Sequence, residues 1–449
     1  MEAYKNSTIQ WLGNIPVDWS ITKIRKYCNI NPSNVDKKTE ENEIDVELCN
    51  YTDVYYNRFI DTSIDFMKAT ATESEIEKFQ LYVDDVIVTK DSEDPHDIAV
   101  PAIIKNTKKN LLCGYHLSIV KCRHSINGPY LFWCFYDLSI ASQFHREATG
   151  ITRWAIGNRH IKNGIIPLPP LPEQKLIASY LDKTTETIDN AIAVKMKQLV
   201  KLEELKKSVI YQAVTKGLDD SVELKDSGVE WIGKIPKHWK LTKLKNHCEV
   251  IPSSVDKKTE EHEIEVELCN YTDVYYNRYI RSNLNFMIAT ASESEINKFQ
   301  LRENDIIITK DSEDPNDIAV PAIVKDTKEK LLCGYHLSII RCDNKLIGSY
   351  LFWCIYDSSI VTQFHREATG ITRWAIANKH VKNGIIPLPP ISEQNMIYNF
   401  IQKKIDELDI TVNKIESQIQ KLEDYKKSLI HECVTGKRRI TEKDIREDI

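Results

Sequence analysis

The chain has 449 residues, which is enough for two or three domains of about 150 residues each. Hydrophobic residues make up 42% and aromatic residues 9%, a composition that supports hydrophobic cores and excludes a largely disordered protein. The net charge of −6 argues against a protein that coats nucleic acid without selectivity. Since the sequence has neither a signal-peptide pattern at its amino end nor an apolar run of about 18 residues, we expect a cytoplasmic protein.

The first region mixes short β-like segments with one helical segment. Residues 85–89 and 117–120 are β-branched runs bounded by polar residues, which predicts strands. Residues 131–144 are typical of a buried amphipathic helix. The string IPLPPLPEQ at 166–174 ends the region, because its prolines prevent helix continuation and favour extended chain. We therefore predict a globular α/β (α+β) domain over residues 1–171.

A long helix is predicted over residues 172–217, where strong helix formers dominate and no Gly or Pro interrupts Pro172 to Thr215. A second long helix, followed by a charged tail that we expect to fray, is predicted within residues 392–449. Roughly 40 residues span about 60 Å, so we predict that the helices pair as a coiled coil; the alternative is that each packs on its own domain. The apolar seam consists of Leu181, Ile188, Ile192, Leu199, Leu202, Val209, Ile401, Ile405, Leu408, Val412, Ile415, Ile419, Leu422 and Leu429.

The chain is one unit written twice at a constant offset of 220 residues. For example, residues 143–156 (QFHREATGITRWAI) recur unchanged at 363–376. A period this long indicates a duplicated domain. The second domain is predicted at 218–391, beginning with a polar connector at 218–230. Because this connector is short compared with the helix, we predict an antiparallel helix pair and a pseudo-twofold relation between the copies.

One group of candidate DNA contacts lies just before the proline-rich string of each copy. Basic residues and hydroxyls are concentrated there in an otherwise acidic protein, which favours contact with phosphates and base edges. The structural alternative is that Arg153 pairs with Glu147 and that Trp154 belongs to the core. The candidates are Arg146, Thr149, Thr152, Arg153, Trp154, Arg159 and Lys162, with Arg366, Thr369, Thr372, Arg373, Trp374, Lys379 and Lys382 in the second copy.

A second group of candidates lies in the string NYTDVYYNR at 50–58. Asn and Arg can bind adenine and guanine in the major groove, and tyrosines can stack on a base or hold a phosphate. An equally good interpretation is a tyrosine-rich hairpin packed on a sheet. The candidates are Tyr51, Asn57 and Arg58, with Tyr271, Asn277 and Arg278 in the second copy, and, more weakly, Lys90 and Lys310 among acidic neighbours.

Motifs for catalysis, cofactor binding or metal binding are absent from the sequence. There is no Gly-rich cofactor loop and no P-loop. Cys113-Gly-Tyr-His116 has half of a zinc-site spacing without a second pair, so we expect buried free thiols. Asp45 and Glu47 resemble a nuclease carboxylate pair, but Leu48 stands where a lysine is expected. We predict no catalytic residue and no metal.

These features together resemble the specificity subunit of Type I restriction–modification systems. The resemblance is carried by WLGNIPVDW (11–19), KDSGVEWIGKIPKHW (225–239), the strings IPLPPLPEQ and IPLPPISEQ (386–394), and the segments DDVIVTKD (84–91) and NDIIITKD (304–311). They occur in the family's order over almost the whole chain: recognition domain, helix, recognition domain, helix.

The resemblance implies a DNA-binding subunit without catalytic activity of its own. Its two target-recognition domains would each read half of a bipartite site on double-stranded DNA. The helices would dock two methyltransferase subunits that methylate adenine, and motor–nuclease subunits would join for restriction. S-adenosylmethionine, ATP and Mg would then be bound by those partners, with no cofactor on this chain and no membrane contact. The competing hypothesis is a duplicated coiled-coil scaffold that does not recognise DNA.

The likeness of the copies also predicts a palindromic target. Two nearly identical readers related by a twofold axis require half-sites that are inverted repeats. The copies differ most between residues 61–83 and 281–303, where for example Asp61 corresponds to Arg281 and Tyr82 to Arg302. Base contacts from that stretch would make the half-sites differ.

Overall fold

The computed structural model describes residues 3–123 and 125–446 of the chain. The chain forms two compact units, one of Met1–Lys195 with Ser417–Ile449 and one of Met196–Glu416. Each unit therefore contains one copy of the globular domain and a section of each long helix. Within the described ranges, no helix is long and apolar enough to cross a membrane.

The first unit contains a five-stranded sheet in the order β4-β12-β8-β10-β6, a three-stranded sheet in the order β11-β5-β7, and the pairs β1-β2, β13-β9 and β14-β3. Its strands are β1 (Tyr4–Asn6), β2 (Asn14–Pro16), β3 (Ser20–Lys23), β4 (Cys28–Pro32), β5 (Ile44–Cys49), β6 (Phe59–Ile60), β7 (Met67–Ala71), β8 (Val86–Thr89), β9 (Asp91–Ser92), β10 (Pro101–Ile104), β11 (Leu111–Cys113), β12 (Leu117–Cys122), β13 (Trp154–Ala155) and β14 (Ile165–Leu168).

The second unit repeats this topology with β18-β26-β22-β24-β20, β21-β19-β25, β23-β28-β27, β15-β16 and β17-β29. Its strands are β15 (Leu224–Asp226), β16 (Lys234–Pro236), β17 (Lys240–Lys243), β18 (Cys248–Pro252), β19 (Ile264–Cys269), β20 (Tyr279–Ile280), β21 (Met287–Ala291), β22 (Ile306–Thr309), β23 (Asp311–Ser312), β24 (Pro321–Val324), β25 (Leu331–Cys333), β26 (Leu337–Cys342), β27 (Thr369–Gly370), β28 (Trp374–Ala375) and β29 (Ile385–Leu388).

Short helices flank the sheets, and two long helices follow the globular domains. The helices are α1 (Tyr51–Tyr56), α2 (Glu73–Phe79), α3 (Gly128–Tyr136), α4 (Leu138–His145), α5 (Asn158–Asn163), α6 (Leu171–Lys216), α7 (Tyr271–Tyr276), α8 (Glu293–Phe299), α9 (Gly348–Tyr356), α10 (Thr362–Glu367), α11 (Asn378–Lys382), α12 (Ile391–Val434) and α13 (Glu442–Arg446). The predicted fold class, duplicated mixed α/β domains with two long helices, is confirmed.

The central strand β8 is buried on both faces of its sheet. Val86 and Val88 face a core that contains α3, whereas Ile87 faces a second core shared with the three-stranded sheet. Successive side chains of a strand point to opposite faces, so a strand between two cores is apolar at every position. This explains the unbroken apolar run at residues 86–88 that predicted the strand.

The single helix predicted over 131–144 is instead two helices, α3 and α4. The chain breaks at Asp137, whose backbone is extended and whose carboxylate accepts a hydrogen bond from the Ile140 amide at 2.9 Å. Asp is a strong helix N-cap because its side chain satisfies an amide that has no partner in the helix. The cap at Asp137 therefore starts a new helix, although the apolar pattern of the sequence continues across this position.

The repeated tryptophan and proline motifs meet at the start of each long helix. The indole of buried Trp19 donates to Glu173 at 3.0 Å, and in the second unit Trp239 donates to Glu393 at 2.8 Å. Pro172 lies in the first turn of α6, where the missing amide hydrogen costs nothing. These contacts fix the globular domain to the beginning of its helix.

Within each unit the sections of α6 and α12 run antiparallel. In the first unit Asp189 contacts Lys426 at 2.6 Å, and Lys195 contacts Gln418 at 2.6 Å, so one residue number rises as the other falls. In the second unit Lys206 contacts Asp409 at 2.8 Å.

Buried seam residues near the domains also belong to the globular cores, so each long helix packs both on the other helix and on a domain. The seam residues buried in this way are Leu181, Ile188, Ile401, Ile405 and Leu429, whereas Ile192, Leu199, Leu202, Val209, Leu408, Val412, Ile415, Ile419 and Leu422 are half-buried.

The charged tail does not fray over its described part. Ile440 is buried in the core of the first unit, and Arg439 forms ion pairs with Asp18 at 2.9 Å and with Glu173 at 2.7 Å. The tail thus has both an apolar anchor and paired charges, which the expectation of fraying overlooked. Residues 447–449 of the tail lie outside the described residues.

Candidate nucleic-acid interface

The string at 50–58 forms the short helix α1, so the hairpin interpretation was wrong. The Asp53 carboxylate accepts a hydrogen bond from the Asn50 amide at 2.7 Å, which caps the amino end. Tyr51 and Tyr55 stack at 5.6 Å, and the ring of Tyr56, next to them, is largely exposed. Helical spacing therefore presents several aromatic rings on one small surface.

An exposed hairpin is the second feature of this surface. Thr149 and Ala155 exchange two backbone hydrogen bonds of 3.0 and 2.9 Å, which closes the turn between them. Gly150 is required inside the turn, since a Cβ there would lie 2.0 Å from the Arg153 carbonyl oxygen. The Ile151 side chain at the tip is 95% exposed, as is its counterpart Ile371. The hairpin thus holds an apolar tip beside exposed hydroxyls, those of Thr149 and Thr152 and, in the second copy, Thr369 and Thr372.

The two groups of candidates meet at strand β9. Arg153 Nε donates to Asp91 at 2.8 Å, and the neighbouring Ser92 hydroxyl lies 3.0 Å from that of Tyr51. His116 Nδ1 lies 2.6 Å from the same Asp91 oxygen. Sequence reasoning missed Asp91, Ser92 and His116 as members of the site. The one sequence signal for these three residues is that they recur in the second copy. Most core residues recur as well, so this signal does not distinguish a site residue from a core residue.

In the second unit these residues line a cleft of about 660 Å³. Its lining is Lys257, Tyr271, Thr272, Tyr275, Tyr276, Ser312, Glu313, Asp314, Asp317, His336 and Arg373. Every one of these residues has an identical counterpart 220 positions earlier in the sequence. The cleft is rich in aromatic rings and carries charges of both signs, so it is suited to polar recognition rather than to binding of a purely apolar group.

The tyrosines of the cleft keep their protons at neutral pH. Burial raises the pKa of Tyr51 and of Tyr271, despite the hydrogen bonds to Ser92 and Ser312. The Asp317 carboxylate raises the pKa of the Tyr275 phenol, which donates to it at 3.2 Å. These phenols therefore act as neutral hydrogen-bond donors and stacking surfaces.

The Lys90 side chain makes its contacts within its own domain. Its ammonium donates to the Ser33 carbonyl at 2.7 Å and lies 4.5 Å from the centre of the Tyr115 ring. Burial lowers the pKa of Lys90, and Lys310 makes the matching contacts in the second unit. The structure therefore does not offer these lysines as free phosphate contacts.

Arg58 lies away from the cleft, against the long helix. Its guanidinium is 2.9 Å from Asp189 and 4.8 Å from the centre of the Phe59 ring, and its side chain is only 18% exposed. In the second unit Arg278 binds Asp409 at 2.8 Å. Arg58 and Arg278 are thus paired with the long helices in this structure, and their predicted base contacts stay a prediction. The amides of Asn57 and Asn277 close the ends of α1 and α7 by donating to the carbonyls of Asp53 and Asp273.

Basic residues remain on the surface around the hairpin. Glu147 pairs with His160 at 2.6 Å, so the predicted alternative of an Arg153–Glu147 pair was wrong. Trp154 is half-buried against the core, as its structural interpretation expected. The exposed basic candidates are Arg146, Arg159 and Lys162 in the first copy, and Arg366, Lys379 and Lys382 in the second; Trp374 matches Trp154.

Cys113, which has half of a zinc-site spacing with His116, is a buried free thiol, as expected. Cys113 is fully buried beside Cys49 on the neighbouring strand, and burial raises the pKa of the Cys113 thiol. Glu47 forms an ion pair with Lys108, which is consistent with a structural rather than a nuclease carboxylate.

The chain thus contains a repeated domain with an exposed cleft, and two long helices whose sections run antiparallel. These features define the class of duplicated recognition proteins in which a coiled coil links the two domains. The family described as "Type I restriction modification DNA specificity domain" matches residues 16–201 and again residues 236–421. The chain belongs to this family and is a specificity subunit of a type I restriction–modification system.

Relatives and solved structures agree with this assignment. The chain is 25% identical over 444 residues to a putative type I restriction enzyme MjaX specificity subunit of Methanocaldococcus jannaschii, covering 96% of each chain. It is 24% identical to the EcoBI specificity subunit of Escherichia coli, covering 62% of this chain and 58% of that one. Its fold matches a chain from a type I restriction–modification complex with a TM-score of 0.70 at 14% identity, covering 94% of this chain and 99% of that one. It also matches the HsdS subunit of Thermoanaerobacter tengcongensis with a TM-score of 0.55 at 15% identity, covering 94% and 98%.

Membership of this family favours DNA sequence recognition over the scaffold hypothesis. A specificity subunit implies both DNA and partner subunits, and such subunits are generally non-catalytic.

Proposed function

We propose that the chain reads a bipartite, palindromic site on double-stranded DNA and directs adenine methylation or restriction by partner subunits. One observation carries the palindrome: all residues that line the cleft of the second unit are identical in the first. Identical readers select identical half-sites, and the antiparallel helices predicted from the sequence orient those half-sites as inverted repeats.

The variable stretch of the repeat does not contribute to this cleft. Residues 281–303, which differ most from 61–83, are absent from its lining. The substitution of Lys68 by Ile288 lies on the exposed face of β7 and β21. These differences therefore support drift of a surface outside the reading site rather than two different half-sites.

DNA contact around the cleft combines apolar, polar and charged groups. The Ile151 side chain is almost fully exposed, so it does not stabilise the fold by burial. An apolar tip between hydroxyls suits the major groove of DNA, where it can contact a thymine methyl group. Arg146 and Lys162 are exposed basic residues of the same segment, which supports a role for them in neutralising phosphates.

Two methyltransferase subunits and motor–nuclease subunits are proposed as the partners, docking along the long helices. The supporting observation is a set of apolar side chains that α6 and α12 expose outside their seam. They include Val194, Met196, Val200, Leu205 and Ile410. We assign S-adenosylmethionine, ATP and Mg to those partners and no cofactor to this chain.

Single-molecule sequencing of methylated bases in the native host tests the palindrome. We expect one motif with two inverted half-sites, an unread spacer and a methylated adenine in each half. A matched control is a full-length chain in which residues 257–373 are replaced by residues 37–153, and it should methylate the same motif. An asymmetric motif, or a changed motif in the exchanged chain, would contradict the proposal.

A further inference from the structure

Arg153 is held from one side only. Its Nε donates to a carboxylate oxygen of Asp91 at 2.8 Å, and its Nη2 lies 2.7 Å from the same oxygen and 3.2 Å from His116 Nδ1. His116 Nδ1 is itself 2.6 Å from that Asp91 oxygen, so both partners lie on one side of the guanidinium. In the second unit the Arg373 Nε donates to Asp311 at 2.7 Å, and His336 Nδ1 is also 2.7 Å from that carboxylate. The same arrangement is therefore built twice.

The Nη1 side of this guanidinium has no acceptor among the described residues. A guanidinium carries five N–H groups, and here Nε faces Asp91 while Nη2 faces both Asp91 and His116 on the same side. Among the described residues, no protein acceptor is assigned to Nη1, and the side chain is 49% exposed. The remaining parallel N–H groups of Nη1 and Nη2 match the paired O6 and N7 acceptors of guanine in the major groove.

Local charge favours a base over a phosphate at this position. The Asp91 carboxylate already neutralises Arg153, and the equivalent cleft of the second unit also contains Glu313, Asp314 and Asp317. Binding of a phosphate depends on net positive charge, which this pair lacks. Hydrogen bonds to the neutral edge of a base require only donors in a fixed orientation.

We propose that Arg153 and Arg373 each read one guanine of their half-site, and that Asp91 and Asp311, braced by His116 and His336, are the positioning residues that orient them. This inference rests on the proposed function and adds to it the identity of one base in each half.

The test uses the full-length wild-type chain and duplexes of its methylation motif in which each guanine is replaced in turn by 7-deazaguanine. This base keeps its pairing and O6 but lacks the N7 acceptor. At one guanine in each half-site we expect about a 10-fold loss of affinity, within the range of a bidentate arginine–guanine contact. A palindromic duplex can be bound in either orientation, so in Arg153→Ala the replacement in one half-site should have no further effect, because the altered domain can occupy that half. Replacement in both half-sites should still weaken binding, through Arg373.

The positioning role is tested separately with Asp91→Asn. Loss of the carboxylate should free a net positive charge, so that affinity for unrelated DNA rises with a steeper salt dependence while discrimination at that guanine falls. Glu93→Gln is the matched control, because it removes one negative charge without releasing Arg153. It should alter affinity for all sequences alike and preserve the 7-deazaguanine effect.

Two results would overturn the inference while leaving DNA recognition intact: a motif without guanine in its half-sites, or equal sensitivity of wild type and Arg153→Ala to every 7-deazaguanine. A wild-type chain without salt-dependent DNA binding would instead reject the proposed function itself.

Discussion

Asp409 is expected to be a main link between the second globular domain and the paired helices. It lies on α12 and accepts hydrogen bonds from Lys206 on α6 and from Arg278 on the domain, each at 2.8 Å. The Lys206 side chain is only 11% exposed, although most of the equivalent heptad positions in the seam are apolar. The change Asp409→Asn keeps the side-chain shape, removes the carboxylate that Arg278 binds, and leaves Lys206 with Glu203 as its remaining counter-charge at 2.6 Å.

Its cost follows from two charge-assisted hydrogen bonds. Each contributes about 1.5–3 kcal/mol when well shielded from solvent, but the Asp409 side chain is 32% exposed, so screening lowers the sum. We expect a loss of about 2 kcal/mol in the free energy of unfolding. For a unit of this size that corresponds to a fall of about 4–8 °C in the melting temperature.

The pH dependence has a definite sign. Burial opposes ionisation, but the hydrogen bonds from Lys206 and Arg278 outweigh it and hold the pKa of Asp409 below its usual 3.8. A lowered pKa stabilises the fold above the unfolded-state pKa, and this contribution is lost as the pH falls through the folded-state pKa. The difference between wild type and Asp409→Asn should therefore be constant near neutral pH and shrink below about pH 4.

Thermal and urea unfolding of both proteins measures this difference. Asp406→Asn is the matched control, because Asp406 lies on the same helix, is exposed and accepts hydrogen bonds from Gln402 of that helix. We expect the control to lose less than about 0.5 kcal/mol. Equal stability of the two variants would refute the role assigned to Asp409.

Two further changes separate the reading surface from the helix seam. Ile151→Ser with Ile371→Ser should leave the melting temperature within about 2 °C of wild type, because both side chains are 95% exposed, yet should weaken binding to the methylation motif several-fold in a gel-shift assay. A lower melting temperature would show that the tips are structural. Ile188→Glu should lower stability by more than about 3 kcal/mol, since it buries a charge in the seam of the first unit, and should prevent co-purification of the methyltransferase partner; unchanged unfolding and assembly would contradict the predicted seam.

Sequence alone was sufficient for the features that depend on repetition or on local pattern. An exact offset required no structure to detect, and the long helices follow from helix formers at heptad spacing. The strand at residues 86–88 is apolar at each position because both faces of its sheet are covered. The motifs that carry the family resemblance were visible for the same reason, since they recur at fixed spacing.

Only the tertiary structure determined which polar side chains share a site. Arg153 meets Asp91 across 62 residues and His116 across 37, and Arg58 meets Asp189 on a long helix. Local propensity carries no information on such pairs, because an arginine has the same sequence signature whether a carboxylate or solvent lies beside it. The role of the arginine is set by the neighbour that folding brings to it, because electrostatic interactions in a partly buried site are strong enough to hold the guanidinium to that neighbour.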